Sequence, residues 1–260
     1  MTAYPVQGKA KSLEICRAFI DGCRGTLALD PPQTLYPGAA FFYGVDESNR
    51  HLWEQVVRDE REYYYCDNSY FDATRQTYFR VTKNRIQHVG TGSSDARRFL
   101  ALGIEVRDAQ KNEGGHIVFC PQSDWFMRVV VGYPGAARAG AWLQDAVAEF
   151  ARIAPERKRR VREWLPDKAK RARSLPEDLI GAWALVTHSS AAAVTALLAG
   201  IPIFCSDYCA AMPLSSVVLD NVPHPIHYSV YARRCLAAVL ADNQWTLDEM
   251  RAGMAWVALQ

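Results

Sequence analysis

The sequence has no Cys-x-x-Cys pair and no His/Cys spacing that would grip a structural zinc ion. Its seven cysteines are odd in number and scattered, so they do not read as a disulfide framework, and a reducing cytoplasm is the expected compartment. Cys66, Cys120 and Cys205 end apolar runs, where a thiol serves as a small buried hydrophobe. The stretch from Met1 to Lys11 lacks the apolar core of a signal peptide. Charge of one sign is nearly absent in excess: 30 basic against 28 acidic residues leave +2, which does not by itself imply nucleic acid or membrane. Internal repeats and low-complexity tracts are missing. One long uncharged run exists, Gly181 to Ser206. Thr187, His188, Ser189 and Ser190 interrupt it, and Gly200 and Pro202 punctuate it again, so no membrane span is expected there.

What is present is a chain of 260 residues, 49% hydrophobic and 22% charged, the balance of a soluble globular protein with a sizeable core. Apolar runs of strand length alternate with segments of helical period, the α/β pattern of a parallel sheet covered by helices. Strands are predicted at Gly38–Val45, Tyr63–Cys66, His116–Cys120, Arg159–Trp164, Ala182–Val186 and Ile201–Cys205. Helices are predicted at Leu13–Ile20, after a Ser48 cap, at Ser94–Leu102, Ala141–Ile153, Asp167–Arg173 and Ser190–Leu198. Thr246 and Glu249 have capping-box spacing and predict a last helix through Trp256. The polar, glycine-containing run Asp108 to Gly115 has the character of a linker.

The densest chemical signal is Thr187-His188-Ser189-Ser190, delivered by an apolar strand and followed by a helix. A helix start offers unpaired N–H groups and the positive end of the dipole, and small residues let an anion reach the backbone. His188 stands at the carboxyl end of a strand, where open α/β sheets bind ligands. The plainer alternative is that Ser190 caps the helix and His188 is a satisfied turn residue.

Trp183 to Phe204, with its VTHSS turn and AGIPIF strand, resembles the donor-binding element of GT-B glycosyltransferases. The likeness is to the capsule-polysaccharide group and to glycosyltransferase-like proteins encoded by phages. Tyr64–Phe71 (YYCDNSYF), His116–Phe126 (HIVFCPQSDWF) and Ala241–Glu249 (ADNQWTLDE) fit the same pattern in order along the chain. The resemblance implies a GT-B-like fold of two Rossmann-like lobes facing a cleft, with a C-terminal helix crossing back. The lobes would be an acceptor lobe at 1–113 and a nucleotide-sugar lobe at 114–245, closed by a helix at 246–260. It implies a nucleotide-sugar donor as co-substrate and no separate cofactor. The missing Asp-x-Asp pair points to metal independence. Phage encoding would make the compartment the host cytoplasm. Gln122 and Ser123, in the loop that faces the nucleotide in the family, either contact the donor or form a plain turn. Thr195 departs from the pattern: many such helices carry a Glu there that holds the ribose, and a Thr cannot accept from two hydroxyls as a carboxylate does.

From Arg152 to Arg173, ten Lys or Arg face three acidic residues. Arg162 and Lys168 resemble the basic residues by which such lobes bind the donor pyrophosphate. A solvated basic face and a footprint for DNA are the alternatives. Candidate general bases are Asp67 and Asp95, with His188 a third catalytic candidate; for each carboxylate the alternative is turn or helix capping. Tyr70 and Phe71 could stack on a sugar or base. The expected activity is transfer of a sugar from a nucleotide-activated donor to an acceptor hydroxyl, on a polysaccharide or on hydroxymethylated phage DNA. A nucleotide-sugar epimerase and a non-catalytic nucleotide-sugar-binding protein are the competing readings.

Overall fold

The computed structural model describes residues 1–71, 77–90, 92–111, 115–132, 140–162, 173–216 and 225–260. In chain order its elements begin with β1 (Thr2–Ala3), α1 (Ala10–Cys23), β2 (Thr26–Leu27), β3 (Ala40–Tyr43), α2 (Arg50–Arg58), β4 (Tyr63–Asn68) and β5 (Phe79–Lys83). Next come α3 (Arg97–Ala101), β6 (His116–Phe119), a π-helical turn at Phe126–Val130, α4 (Ala141–Ile153), β7 (Arg159–Val161) and α5 (Leu175–Leu179). The chain continues through β8 (Ala182–Val186), α6 (Ala192–Leu198), β9 (Ile203–Phe204), α7 (Val230–Asp242), β10 (Gln244–Trp245), α8 (Leu247–Arg251) and α9 (Met254–Ala258). The residues form two compact units, Met1–His88 with Ala241–Gln260, and Val89–Leu240. Val89–Lys111 therefore groups with the second unit, and Ala241–Trp245 with the first.

The first unit holds a sheet of order β10-β5-β4-β3-β1-β2, parallel from β2 through β4, with β5 and β10 added antiparallel. Apolar α1 positions Ile15, Phe19 and Ile20 bury against Phe41 and Tyr64, and the Phe19 and Phe41 rings stack 4.2 Å apart. Trp245, Met250 and Ala255 from the C-terminal segment complete that core. A close backbone approach makes this possible. A Cβ on Gly22 would lie 1.9 Å from the Met250 carbonyl oxygen and 2.8 Å from the Gly253 nitrogen. Gly253 itself has φ +79°, a left-handed conformation that favours glycine, and it separates α8 from α9. The predicted last helix is thus two short ones. Its start is as predicted: Thr246 Oγ1 accepts from the Glu249 N–H at 3.2 Å, and Glu249 Oε2 accepts from the Thr246 N–H at 2.8 Å.

The second unit holds a sheet of order β7-β6-β8-β9, every pair parallel. Phe119, Phe150, Trp183 and Phe204 fill the space between this sheet and α4, with Trp142 and Ala146 packed against them. Both units are α/β with parallel strands. No helix among the described residues is long and apolar enough to cross a membrane.

Several expectations need correction. Ser48 does not cap α2: its Oγ donates to Asp46 Oδ1 at 2.6 Å, and the helix starts after Asn49. The predicted turn at Asp67-Asn68 is still strand, because Asp67 and Asn68 pair with Arg80 and Phe79 of β5. The helix after Ser190 starts at Ala192, and the β7 strand ends at Val161. The predicted Asp167–Arg173 helix lies outside the described residues except for Arg173. Gly22→Ala should lower unfolding free energy by about 1–3 kcal/mol or more through overpacking, measured by urea denaturation, because the Met250 carbonyl is backbone and cannot swing aside.

Candidate functional site

In the second sheet, β6 connects outward to β7 and β8 connects outward to β9, so the connections reverse direction between the neighbours β6 and β8. Such a switch point opens a crevice at the carboxyl ends of the two strands. The loops there are Cys120–Ser123 and Thr187–Ser190. The buried Thr187 Oγ1 donates to the Cys120 carbonyl at 2.6 Å, and Gln122 Nε2 donates to Ser189 Oγ at 3.3 Å. From the end of β9, the Ser206 N–H and Oγ both donate to the His188 carbonyl, at 3.1 and 2.8 Å. Five of the sequence-predicted residues, Thr187, His188, Ser189, Ser190 and Gln122, therefore meet at one place. Ser123 stands beside them, but its Oγ accepts from the Phe126 N–H at 3.1 Å and caps the π-helical turn.

The imidazole of His188 is 5% exposed. Its ring meets the Trp142 ring edge-on at 6.0 Å and stacks on Tyr208 at 5.7 Å, and Nδ1 lies 3.1 Å from Ser189 Oγ. Burial pushes its pKa down to about 4, against a smaller opposing pull from Asp207. At neutral pH this is a neutral ring. Two of the N–H donors expected for an anion are in use. The Ser190 N–H goes to Thr187 Oγ1 at 3.3 Å and the Ala192 N–H to Ser190 Oγ at 3.2 Å. A ligand phosphate would have to exchange with these hydroxyls.

Beside the turn lies a cavity of about 400 Å³ lined by Trp142, Asp145, Glu149, Thr187, Ser206 and Ser216. Phe150, Phe204 and Val186 form its apolar wall. Cys205 also lines it, but the neighbouring Cys209 thiol and burial push the Cys205 thiol far up, so it is no nucleophile. The sequence reading missed Trp142, Asp145, Glu149 and Ser216. The signal for the first three was there in part: Trp142, Asp145, Ala146, Glu149 and Phe150 recur at helical spacing along one face of α4. Nothing local marks Ser216, which comes to the cavity by pairing beside Phe204.

Other predicted residues stand elsewhere. Arg162 is 7% exposed on its side chain; Nη1 binds Asp178 Oδ2 and donates to the Ser174 carbonyl at 3.1 Å. The same Asp178 carboxylate takes Arg160 at 3.4 Å and Arg173 at 3.2 Å. The fork expected to grip pyrophosphate is thus closed on an internal partner. Thr195 lines a different cavity, with Glu105, Arg107, Gln110 and Gly181, toward the opposite ends of the strands. Lys168 lies outside the described residues. In the first unit, Asp67 Oδ2 accepts from the buried Arg80 at 2.6 Å, and Oδ1 accepts from the Asn68 N–H at 2.7 Å. Its side chain keeps 34% exposure. Asp95 is an exposed turn residue whose Oδ1 accepts from the Arg97 N–H at 3.0 Å at the start of α3. Tyr70 is buried under the Arg80 guanidinium at 5.0 Å, and its hydroxyl accepts from the His88 N–H at 3.0 Å, so it offers no face for stacking.

Two predictions come from this geometry. His188 has a folded pKa below its unfolded value, so the unfolded state binds the proton more readily and stability falls as pH drops from about 6.5 to about 4. His188→Gln should flatten that acid limb by up to about 3 kcal/mol, read from denaturation curves across pH. Breaking the buried pair by Arg162→Ala should cost about 3–5 kcal/mol of stability, read by the same method. A loss of nucleotide affinity with stability intact would return Arg162 to the donor site.

No protein-family model and no curated protein matches this chain. Two solved structures from Thermosulfurimonas dismutans resemble it. KpsC described as a beta Kdo 2,7 transferase superposes with a TM-score of 0.53 at 12% identity, covering 99% of both chains. KpsC described as a beta Kdo 2,4 transferase gives 0.49 at 9% identity over 91% of this chain and 89% of that one. At 12% identity the likeness over the first of these is one of fold.

Proposed function

We propose that the protein is a glycosyltransferase that moves a sugar from a nucleotide-activated donor to an acceptor hydroxyl. The observation that carries this reading is the pair of loops joined by Thr187 and Cys120 at the switch point of the second sheet. The fold it shares with a transferase adds support by analogy. In this reading the second unit holds the donor at Thr187–Ser190 and Gln122, and the first unit receives the acceptor. The acceptor oxygen attacks the anomeric carbon, the bond from that carbon to the donor phosphate breaks, and the nucleotide leaves with the phosphate oxygen. The acceptor proton passes to a base, for which Asp67, paired with Arg80 at 2.6 Å, is the candidate of the first unit. Asp95 caps a turn and His188 is a buried neutral ring, so neither is given this role. Donor-pyrophosphate contacts from Arg162 are not part of the proposal, and no metal or cofactor is required by it. The acceptor is a saccharide or a hydroxymethylated base in DNA.

One observation favours a second reading, a nucleotide-sugar-binding protein without transfer. No carboxylate stands at Thr195, and that side chain faces the cavity of Glu105 and Arg107 rather than the turn.

Incubation with a panel of nucleotide sugars and candidate acceptors separates the two. A transferase releases free nucleotide in an acceptor-dependent way and labels either oligosaccharide or hydroxymethylated DNA. Asp67→Asn should then lower transfer by about 10²–10⁴-fold while leaving donor binding in calorimetry unchanged. Binding without nucleotide release would establish the second reading.

A further inference from the structure

Arg233 is 2% exposed and stands in the first turn of α7, where side chains tilt back toward the helix start. Its Nε donates to the Tyr228 carbonyl at 3.1 Å, and its Nη1 donates to the Leu197 carbonyl, near the end of α6, at 3.0 Å. The buried Nη2 has no hydrogen-bond partner. Among the described residues no carboxylate forms an ion pair with this guanidinium. Burial pushes its pKa down, against a smaller pull from the exposed Asp108. A buried cation without a paired anion is costly. The positive end of the α7 dipole adds to that cost, and no acidic residue stands in the first turn to offset it.

A second unpaired atom belongs to the same neighbourhood. His227 Nδ1 is buried and has no hydrogen-bond partner. Burial depresses the pKa of this ring, and the charges of Lys111 and Arg233 depress it further. Three basic groups thus gather, Lys111 exposed, His227 half-buried and Arg233 buried. An anion with several accepting oxygens matches this set. One oxygen can take the Arg233 Nη2 hydrogens and another the Nδ1–H tautomer of His227, while Lys111 balances the charge. Phosphate suits it better than a carboxylate does, because it brings more charge and further accepting oxygens.

We propose that Arg233, His227 and Lys111 form an oxyanion site of the phosphate type in the second unit, at the closing end of α6. The Thr187–Ser190 turn precedes the opening end of that helix, so the two are separate sites. Binding at Arg233 stands whether or not the protein transfers sugars.

The test uses the full chain and inorganic phosphate, with sodium chloride at equal ionic strength as the control. Phosphate should raise the unfolding midpoint in a saturable way, and chloride should not. Calorimetry gives the affinity. Arg233 is left in place, because its bonds to two carbonyls also support the fold. Lys111→Met and His227→Leu, each alone, should weaken phosphate by about tenfold. Asp108→Asn should strengthen it, by removing the carboxylate that competes for Arg233. Saturating phosphate should also raise the His227 pKa, followed by NMR of the ring, since a bound anion opposes the charges of Lys111 and Arg233. A purely structural Arg233 would produce none of these responses. An unfolding midpoint that phosphate moves no more than chloride does overturns the proposal. So does a His227 ring that phosphate leaves unmoved, or an affinity that is the same in all three variants, which would place the anion elsewhere.

Discussion

The Thr187 hydroxyl ties the second unit together. It is buried at the carboxyl end of β8 and donates to the Cys120 carbonyl across the point where the sheet connections reverse. A parallel sheet leaves its end carbonyls without ladder partners. The threonine supplies that partner from within the turn. Its oxygen also accepts from the Ser190 N–H, which sets the turn that presents Ser189 toward Gln122. The His188 carbonyl is fixed by Ser206 in the same way from the β9 side. Once these bonds are made, Trp142 and Tyr208 fix the His188 ring from two sides. Each further feature of the site stands on that closure.

Charge is partitioned around the same sheet. On the β7 side, Asp178 gathers Arg160, Arg162 and Arg173 around one buried carboxylate. Desolvating charges is repaid only when additional polar partners are present, and here the Ser174 and Arg173 carbonyls accept from Arg162 as well. Part of the basic run that looks like a polyanion footprint is therefore spent inward. On the β8–β9 side, α4 presents carboxylates to the cavity. A net charge of +2 thus conceals arginines drawn together around one buried carboxylate.

Long apolar runs were legible in the sequence. AWALV is the strand β8 and Ala141–Ile153 is the helix α4 at the predicted limits, because burial on both faces or on one helical stripe leaves a local signature. Strands of two residues, such as β1, β2 and β10, carry no such signature, since their partners define them. Asp67 was taken for a turn for the same reason: only its pairing with Arg80 makes it strand. The turn at Thr187–Ser190 was legible because its chemistry and its position coincide in consecutive residues. Arg162 was not, because its partner Asp178 lies sixteen residues on and behind a cap. Ser216 was invisible for want of any local pattern.

The electrostatics of the turn constrain how it can hold a donor. A phosphate is usually met by a guanidinium, an ammonium or free helix-start N–H groups. Here His188 is neutral, Arg162 is committed to Asp178, and hydroxyls already occupy the Ser190 and Ala192 N–H groups. Exchange of those hydroxyls is possible, since a serine or threonine O–H rotates freely, but exchange gains less than filling an empty donor would. In the proposed reading, the phosphate end of a donor meets hydroxyls that must first turn away from these N–H groups. The cavity next to it holds an unpaired hydroxyl, that of Ser216, beside an aromatic wall. The turn and the cavity beside it thus differ in which polar groups are left to pair. This is a consequence of side-chain pairing inside the second unit, which shared fold alone does not dictate.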